Sequence, residues 1–257
     1  MKNRYPLLAG RRILRKESLW DIRDCAYGGW QLYYMDHTDG LLKGCTISAQ
    51  NGMLVIGRGI LKFHGFIYLM REEERVAYQP ENEWRILKGE FTEDGTNPDY
   101  SEYRVRFFLD TDMRLKENQI EMCRFYLREG AVLRDSYKDF SDMATEYDTV
   151  NLVHATVAGV GEQTLHPALL RQFGEELWNI KEKDQFDISI CNLIWNTQGN
   201  LEHKVIAEYL WSKTKKDVAE FRGPDGSQKT YEYLCKILNR MGRLKKDRTG
   251  FKQIIVD

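Results

Sequence analysis

The side chains best suited to chemistry in this chain do not fall into the spacings that chemistry uses. The five histidines, His37, His64, His154, His166 and His203, form neither H-x-x-x-H nor H-E-x-x-H, the patterns that put two imidazoles on one helical face around a metal. The five cysteines, Cys25, Cys45, Cys123, Cys191 and Cys235, are odd in number and contain no C-x-x-C pair, so they suggest neither a disulfide framework nor a zinc site. They are expected to act as small apolar residues in a reducing compartment. No G-x-S-x-G turn frames a serine nucleophile.

Three patterns are worth weighing. Asp135, Asp139, Asp142 and Asp148 lie close together in sequence, and paired carboxylates can do acid–base work when their surroundings split their proton affinities. The alternative is a set of turns in which Asp and Thr side chains cap backbone amides. Gly57-x-Gly59 and Gly159-x-Gly161 resemble pieces of nucleotide loops, but neither extends to G-x-G-x-x-G nor to a phosphate-binding lysine. They are expected to be bulges or tight turns. The third pattern is a charge asymmetry. The whole chain has a net charge of only -1, yet residues 227–256 hold eight basic residues against two acidic ones, an excess of six.

The elements that must position these groups read as a β-rich front and a helical back. In residues 11–24 the apolar spacing of Ile13, Leu14, Leu19 and Ile22 suggests a short helix, which Gly28-Gly29 should break; aromatic residues 30–35 then suggest a strand. Strands are expected at 42–49 and 53–56, joined by the hairpin turn Asn51-Gly52, both of whose residues tolerate positive φ. Residues 60–70 alternate as one strand, and 75–78, 83–91, 103–109 and 120–127 follow. Many short strands separated by turn residues predict an antiparallel sandwich or barrel.

Residues 131–165 are polar and lack a clear period. Pro167 then opens a helix through Leu169, Leu170, Phe173 and Leu177. Helices are expected at 186–195, at 201–211, and from a cap at Ser227 to a stop at Gly242, with a terminal strand at 253–257. The fold class is α+β, with a β-rich domain at 1–180 and a smaller helical, basic domain at 181–257. Residues 1–10 carry Lys2 and Arg4 and no apolar run that would make a signal-peptide core, and no stretch is long and apolar enough for a membrane helix. The expectation is therefore synthesis and folding inside the cell.

The tail resembles a winged-helix module: a polar helix, a glycine, a basic turn and a terminal strand. In that family a helix enters the major groove and a basic hairpin touches phosphate. The resemblance implies base-facing roles for Ser227, Gln228, Lys229 and Thr230, and phosphate contacts for Arg243, Lys245, Lys246 and Arg248. The segment between Trp211 and Ser227 departs from the family, being far longer than a helix-turn-helix turn. A solvated basic face that docks onto protein is the other reading.

The front half resembles phage and prophage tail or baseplate proteins. The resemblance lies in Asn51, Gly52, Met53, Leu54, Val55, Ile56, Gly57, Gly59, Ile60, Phe63, Gly65 and Tyr68. It continues in Asp148, Thr149, Val150 and Asn151, then Gly159, Gly161, Thr164 and Leu165. It covers residues 41–175 and implies a small β-sandwich used for assembly or for presenting a receptor-binding tip. It supplies no catalytic residues. The leading expectation is a structural component of a phage-tail-like particle with protein partners and self-association as a homo-oligomer, without cofactor or metal. The alternatives are a duplex-DNA-binding protein and an enzyme built on the 135–148 carboxylates.

Overall fold

The computed structural model describes residues 13, 15–95, 99–223 and 225–249, the last seven of these as backbone only. Helix α1 (Lys16–Tyr33) comes first. It corrects two expectations, because it runs straight through Gly28-Gly29 and takes in the aromatic segment predicted as a strand. Two glycines cost a helix about 1 kcal/mol each relative to alanine. Ring contacts at its C-terminal end return part of that cost: Trp30 stacks on the C-cap residue Tyr34 at 6.0 Å, and Tyr34 meets His37 edge-on at 5.1 Å.

Among the described residues the β-rich front holds three antiparallel sheets of three strands each. The first joins β1 (Gly40–Gly44), β4 (Gly59–Phe63) and β5 (Phe66–Met70). The second joins β2 (Ile47–Gln50), β3 (Met53–Ile56) and β6 (Glu74–Ala77). The third places β7 (Glu83–Asp94) between β8 (Glu102–Asp110) and β9 (Gln119–Leu127).

Asn51-Gly52 makes the expected two-residue hairpin, with φ of 51° and 74° and Gln50 paired with Met53. The single strand expected over 60–70 is instead a second such hairpin. His64 and Gly65 take φ of 47° and 77°, and Phe63 pairs with Phe66. Alternation continues through a two-residue turn without losing phase, which is why one long strand and a hairpin read alike. The segment expected as one strand over 42–49 divides into β1 and β2 at Cys45, which has φ of 49°.

Aromatic rings join the sheets. Phe63 stacks on Phe91 at 4.3 Å, Phe66 on Tyr103 at 3.8 Å, and Tyr78 meets Phe125 edge-on at 6.0 Å. The buried apolar cluster continues without a break into the helical back, from Leu41 through Phe125 and Phe173 to Ile237.

In that back, α2 (Pro167–Asn179) begins with Pro167, where a missing N–H costs nothing, and the His166 ring accepts the Ala168 amide at 3.2 Å. Helix α3 (Gln185–Asn196) is started by a reciprocal cap. Asp184 accepts the amides of Phe186 and Asp187, and Asp187 accepts that of Asp184. Helix α4 (His203–Thr214) ends at Lys215, which has φ of 60°. A 3-10 turn (Val218–Phe221) leads to α5 (Gly226–Thr249).

Helix α5 corrects the expected stop at Gly242, since it continues through that residue and places Ser227 inside its first turn rather than at its cap. The residues that flank Gly242, Met241, Arg243 and Leu244, are good helix formers that sustain the turn. The expected terminal strand lies outside the described residues. The two halves are tied by polar contacts as well as by the core. Asn200 donates to the carbonyls of Leu41 and Ala158 at 2.7 Å each, and the Thr164 hydroxyl donates to Leu201 O at 2.6 Å.

Candidate interaction surface

Helix α1 lies on the molecule without burying a single residue. Leu19, Trp20, Tyr27, Trp30, Leu32 and Tyr33 are all at least 48% exposed, a density of large apolar groups that a solvated helix does not need. What holds the helix is its C-terminal end. Lys62 on β4 is buried, and its Nζ donates to the carbonyls of Tyr34 (2.8 Å), Met35 (3.1 Å) and His37. These carbonyls belong to the turn that follows α1, beyond its own last carbonyls. One ammonium therefore fixes that turn, and with it the end of the helix, to the first sheet.

Pinned in this way, α1 borders two grooves. One, of about 630 Å³, has Tyr27 and Trp30 on one wall and Phe66, Tyr68 and Tyr103 on the other. The second, of about 810 Å³, lies between Tyr33 at the end of α1, with the adjoining Tyr34, and the Asn200 and Glu202 loop of the helical back. Burial and the neighbouring Glu93 carboxylate push the Tyr68 phenol up to about 12, so it stays protonated as a donor throughout the neutral range.

The expected nucleic-acid residues divide. Ser227 and Gln228 are half-buried and Lys229 is exposed, but Thr230 is fully buried, so the start of α5 presents at most three of the four. Arg243, Lys245, Lys246 and Arg248 lie on the continuous backbone of α5 rather than in a turn that follows it; their side chains are outside the described atoms.

The acidic stretch is spent on structure. Asp135 accepts the Ala49 amide at 2.9 Å, and Asp139 accepts the Asp142 amide at 2.9 Å. Asp142 takes both guanidinium nitrogens of Arg134, which holds its carboxyl well below the usual range. Asp148 pairs with Arg128, with the same direction of shift. Each carboxylate has a different partner, the arrangement of capped turns rather than of a catalytic pair. Of the thiols, Cys45, Cys123 and Cys191 are buried, and burial pushes Cys45 up to about 12 and Cys191 up to about 11. Among the described residues no three His, Cys, Asp or Glu side chains come together as a metal set, and no helix is long and apolar enough to cross a membrane.

No family model matches the chain, and no curated protein does. Among solved structures it is similar to a chain of the type VI secretion system TssK–TssF–TssG baseplate subcomplex, at 10% identity and a TM-score of 0.42, over 94% of this chain and 99% of that one. It is also similar to TssK in its crystal structure, at 11% identity and 0.37, over 100% of this chain and 71% of that one. A chain of the type VI secretion baseplate complex matches at 9% and 0.33, over 93% and 100%. These neighbours are baseplate proteins. All three likenesses lie below a TM-score of 0.5.

Sequence reasoning missed α1 as a surface because it divided the helix at Gly28-Gly29. A signal was present: Trp20, Tyr27, Trp30 and Tyr34 recur at steps of three, four and seven, which is helical spacing.

Proposed function

We propose that this chain is a non-enzymatic structural subunit of a phage-tail-like assembly that acts through protein–protein contacts, with α1 as its main contact element. The observation that carries the reading is α1 itself, an 18-residue helix with no buried residue that displays tryptophan, tyrosine and leucine to solvent. Interface cores are enriched in these aromatic residues and depleted in charge. The resemblance of residues 51–68 to tail and baseplate proteins names the kind of particle. The separate structural use of Asp135, Asp139, Asp142 and Asp148 supports a role without catalysis.

The test compares the purified chain with a Trp20→Ser, Leu32→Ser, Tyr33→Ser variant. Trp30 and Tyr34 are left in place to keep α1 intact. Sedimentation should show the unaltered chain associating with itself or with a subunit encoded beside it, and the variant should lose that association while keeping the same circular dichroism and melting temperature. An unaltered chain that stays monomeric and binds none of those subunits overturns the reading.

A further inference from the structure

Strand β8 is nine residues long and forms one edge of the third sheet, in unbroken register with β7 from Glu102 to Asp110. Among the described residues, no backbone or side-chain hydrogen bond reaches its outer edge. The groups on that edge follow from the geometry of β7. Phe91 turns both its amide and its carbonyl toward Asn118, the residue before β9, at 2.9 and 3.1 Å. Successive residues of a strand face opposite ways, so Glu90 and Thr92 face β8, where they meet Arg106 and Arg104. The N–H and C=O groups left open on β8 are therefore those of Tyr103, Val105, Phe107 and Leu109.

An open edge of this length is a template for another strand, and folded proteins usually blunt it. Other edges of this molecule are blunted. β1 bonds through Leu41 to Thr156 and Ala158, β9 bonds through Arg124 to Asn151, and Asp135 takes the Ala49 amide of β2. β5 and β6 have only five and four residues. β8 is long and carries no proline, no lysine and no bulge against β7.

Its side chains also complement themselves. Val105, Phe107 and Leu109 lie on the core side and are only half-buried. Glu102, Arg104, Arg106, Phe108 and Asp110 alternate with them on the other side. About a twofold axis at Phe107, a second antiparallel β8 would set Arg104 opposite Asp110 and Arg106 opposite Phe108, each twice. On the core side Val105 would meet Leu109, and Phe107 its own copy. The register of full overlap opposes Glu102 to Asp110 and Arg106 to itself, and a shift the other way opposes Arg104 to Arg106. Arg104 already holds Glu102, and Asp110 already holds Lys88. Charge therefore selects the register, while backbone groups and the apolar row supply the attachment.

We propose that β8 pairs antiparallel with β8 of a second copy of this chain, Phe107 against Phe107, joining two three-stranded sheets into one of six. Val105 then faces Leu109 and Phe107 faces Phe107 as hydrogen-bonded pairs, each exchanging two bonds. α1 supplies none of these contacts. The Trp20→Ser, Leu32→Ser, Tyr33→Ser variant should therefore fall back to this dimer rather than to a monomer, so the two surfaces are read separately.

Sedimentation equilibrium of the full chain between about 1 and 100 µM should show a monomer–dimer equilibrium, the range suited to an interface this small. Val105→Pro removes one outward amide per copy and spares the bonds to β7, so it should weaken the dimer at least tenfold. Circular dichroism and melting temperature check that this variant is folded. Cysteines read the register, in a chain whose exposed Cys25 is replaced by serine. Residues 106 and 108 of opposite copies would form a non-hydrogen-bonded pair with Cα atoms about 4.5 Å apart, within disulfide reach. Arg106→Cys and Phe108→Cys proteins should cross-link when mixed and oxidised, and neither should cross-link alone. If Val105→Pro does not fold, the cysteine pair decides. A chain that is monomeric at about 100 µM overturns the proposal, whether or not another protein then takes the edge. So does a dimer that survives in folded Val105→Pro, or a single cysteine variant that cross-links as readily alone as in the mixture.

Discussion

Replacing Lys62 with methionine should release α1 while leaving the rest of the molecule folded. The lysine stem is buried on β4 and methionine fills similar space, so the change removes mainly the ammonium and its three bonds to Tyr34, Met35 and His37 carbonyls. A hydrogen bond to a charged group contributes about 1.5–3 kcal/mol. The three cannot simply be added, because Met35 is exposed and its freed carbonyl can turn to water. A net loss of about 2–3 kcal/mol is the reasonable scale. Because α1 buries no residue of its own, this loss falls on the local opening of the helix rather than on global unfolding. At about 1.4 kcal/mol per tenfold, amides of residues 20–35 should exchange with deuterium roughly 30- to 140-fold faster. Amides of β7 and β9 should keep their rates, and the urea midpoint should barely move. Unchanged exchange in α1 would show that Lys62 is not its anchor. An equal acceleration in β7 would show that α1 is part of the cooperative core, and the surface reading would lose its basis.

Two further perturbations address the back of the molecule. Asp187 is buried and accepts from the Tyr209 hydroxyl at 2.8 Å and from Lys213 at 2.6 Å while completing the α3 cap. Asp187→Ala strands the Tyr209 hydroxyl and leaves Lys213 paired with Asp184 alone at 2.7 Å, and should cost about 1–3 kcal/mol, read as a lower urea midpoint at unchanged m-value. His166 is pushed down to about 4 by burial, below the roughly 6.5 of an unfolded histidine. The unfolded chain therefore binds a proton that the fold refuses, so the stability is fully present above about pH 6.5 and is lost as pH falls toward about 4. Between pH 7 and pH 5 this amounts to roughly 2 kcal/mol. His166→Asn keeps an acceptor for the Ala168 amide and should narrow the pH 7 to pH 5 difference in unfolding free energy by that amount; an unchanged difference would refute the assignment.

Much of the fold was legible because local chemistry and final structure agree there. Asn51-Gly52 specifies its hairpin through φ values that few other pairs accept. Pro167 and the apolar spacing after it specify α2, and the strands from β6 to β9 follow from alternation and turn residues. Failures came where one pattern serves two structures. Residues 60–70 alternate identically as a strand or as β4 and β5 around His64-Gly65, and only the pairing of Phe63 with Phe66 distinguishes them. Glycine misled twice in the same direction, at Gly28-Gly29 and at Gly242. Its helix penalty is about 1 kcal/mol, which neighbours of high propensity or ring contacts can outweigh.

The candidate surface was hidden for a different reason. Hydrophobic periodicity reports that a face is apolar but not what covers it, and the aromatic residues of α1 read equally well as core. What turns them into a surface is a polar residue elsewhere. In the fold the Lys62 ammonium is buried and faces the carbonyls of the turn that follows α1. Holding the turn that follows a helix demands little apolar burial from its flanks, so the flanks stay available. A helix held by its own apolar face would have spent Trp20, Tyr27 and Trp30 on the first sheet and left little to offer a partner. The separation of the two tasks, polar anchoring at one end and aromatic display along the length, is what makes α1 suited to contact another protein, and it depends on one buried lysine that no sequence period marks.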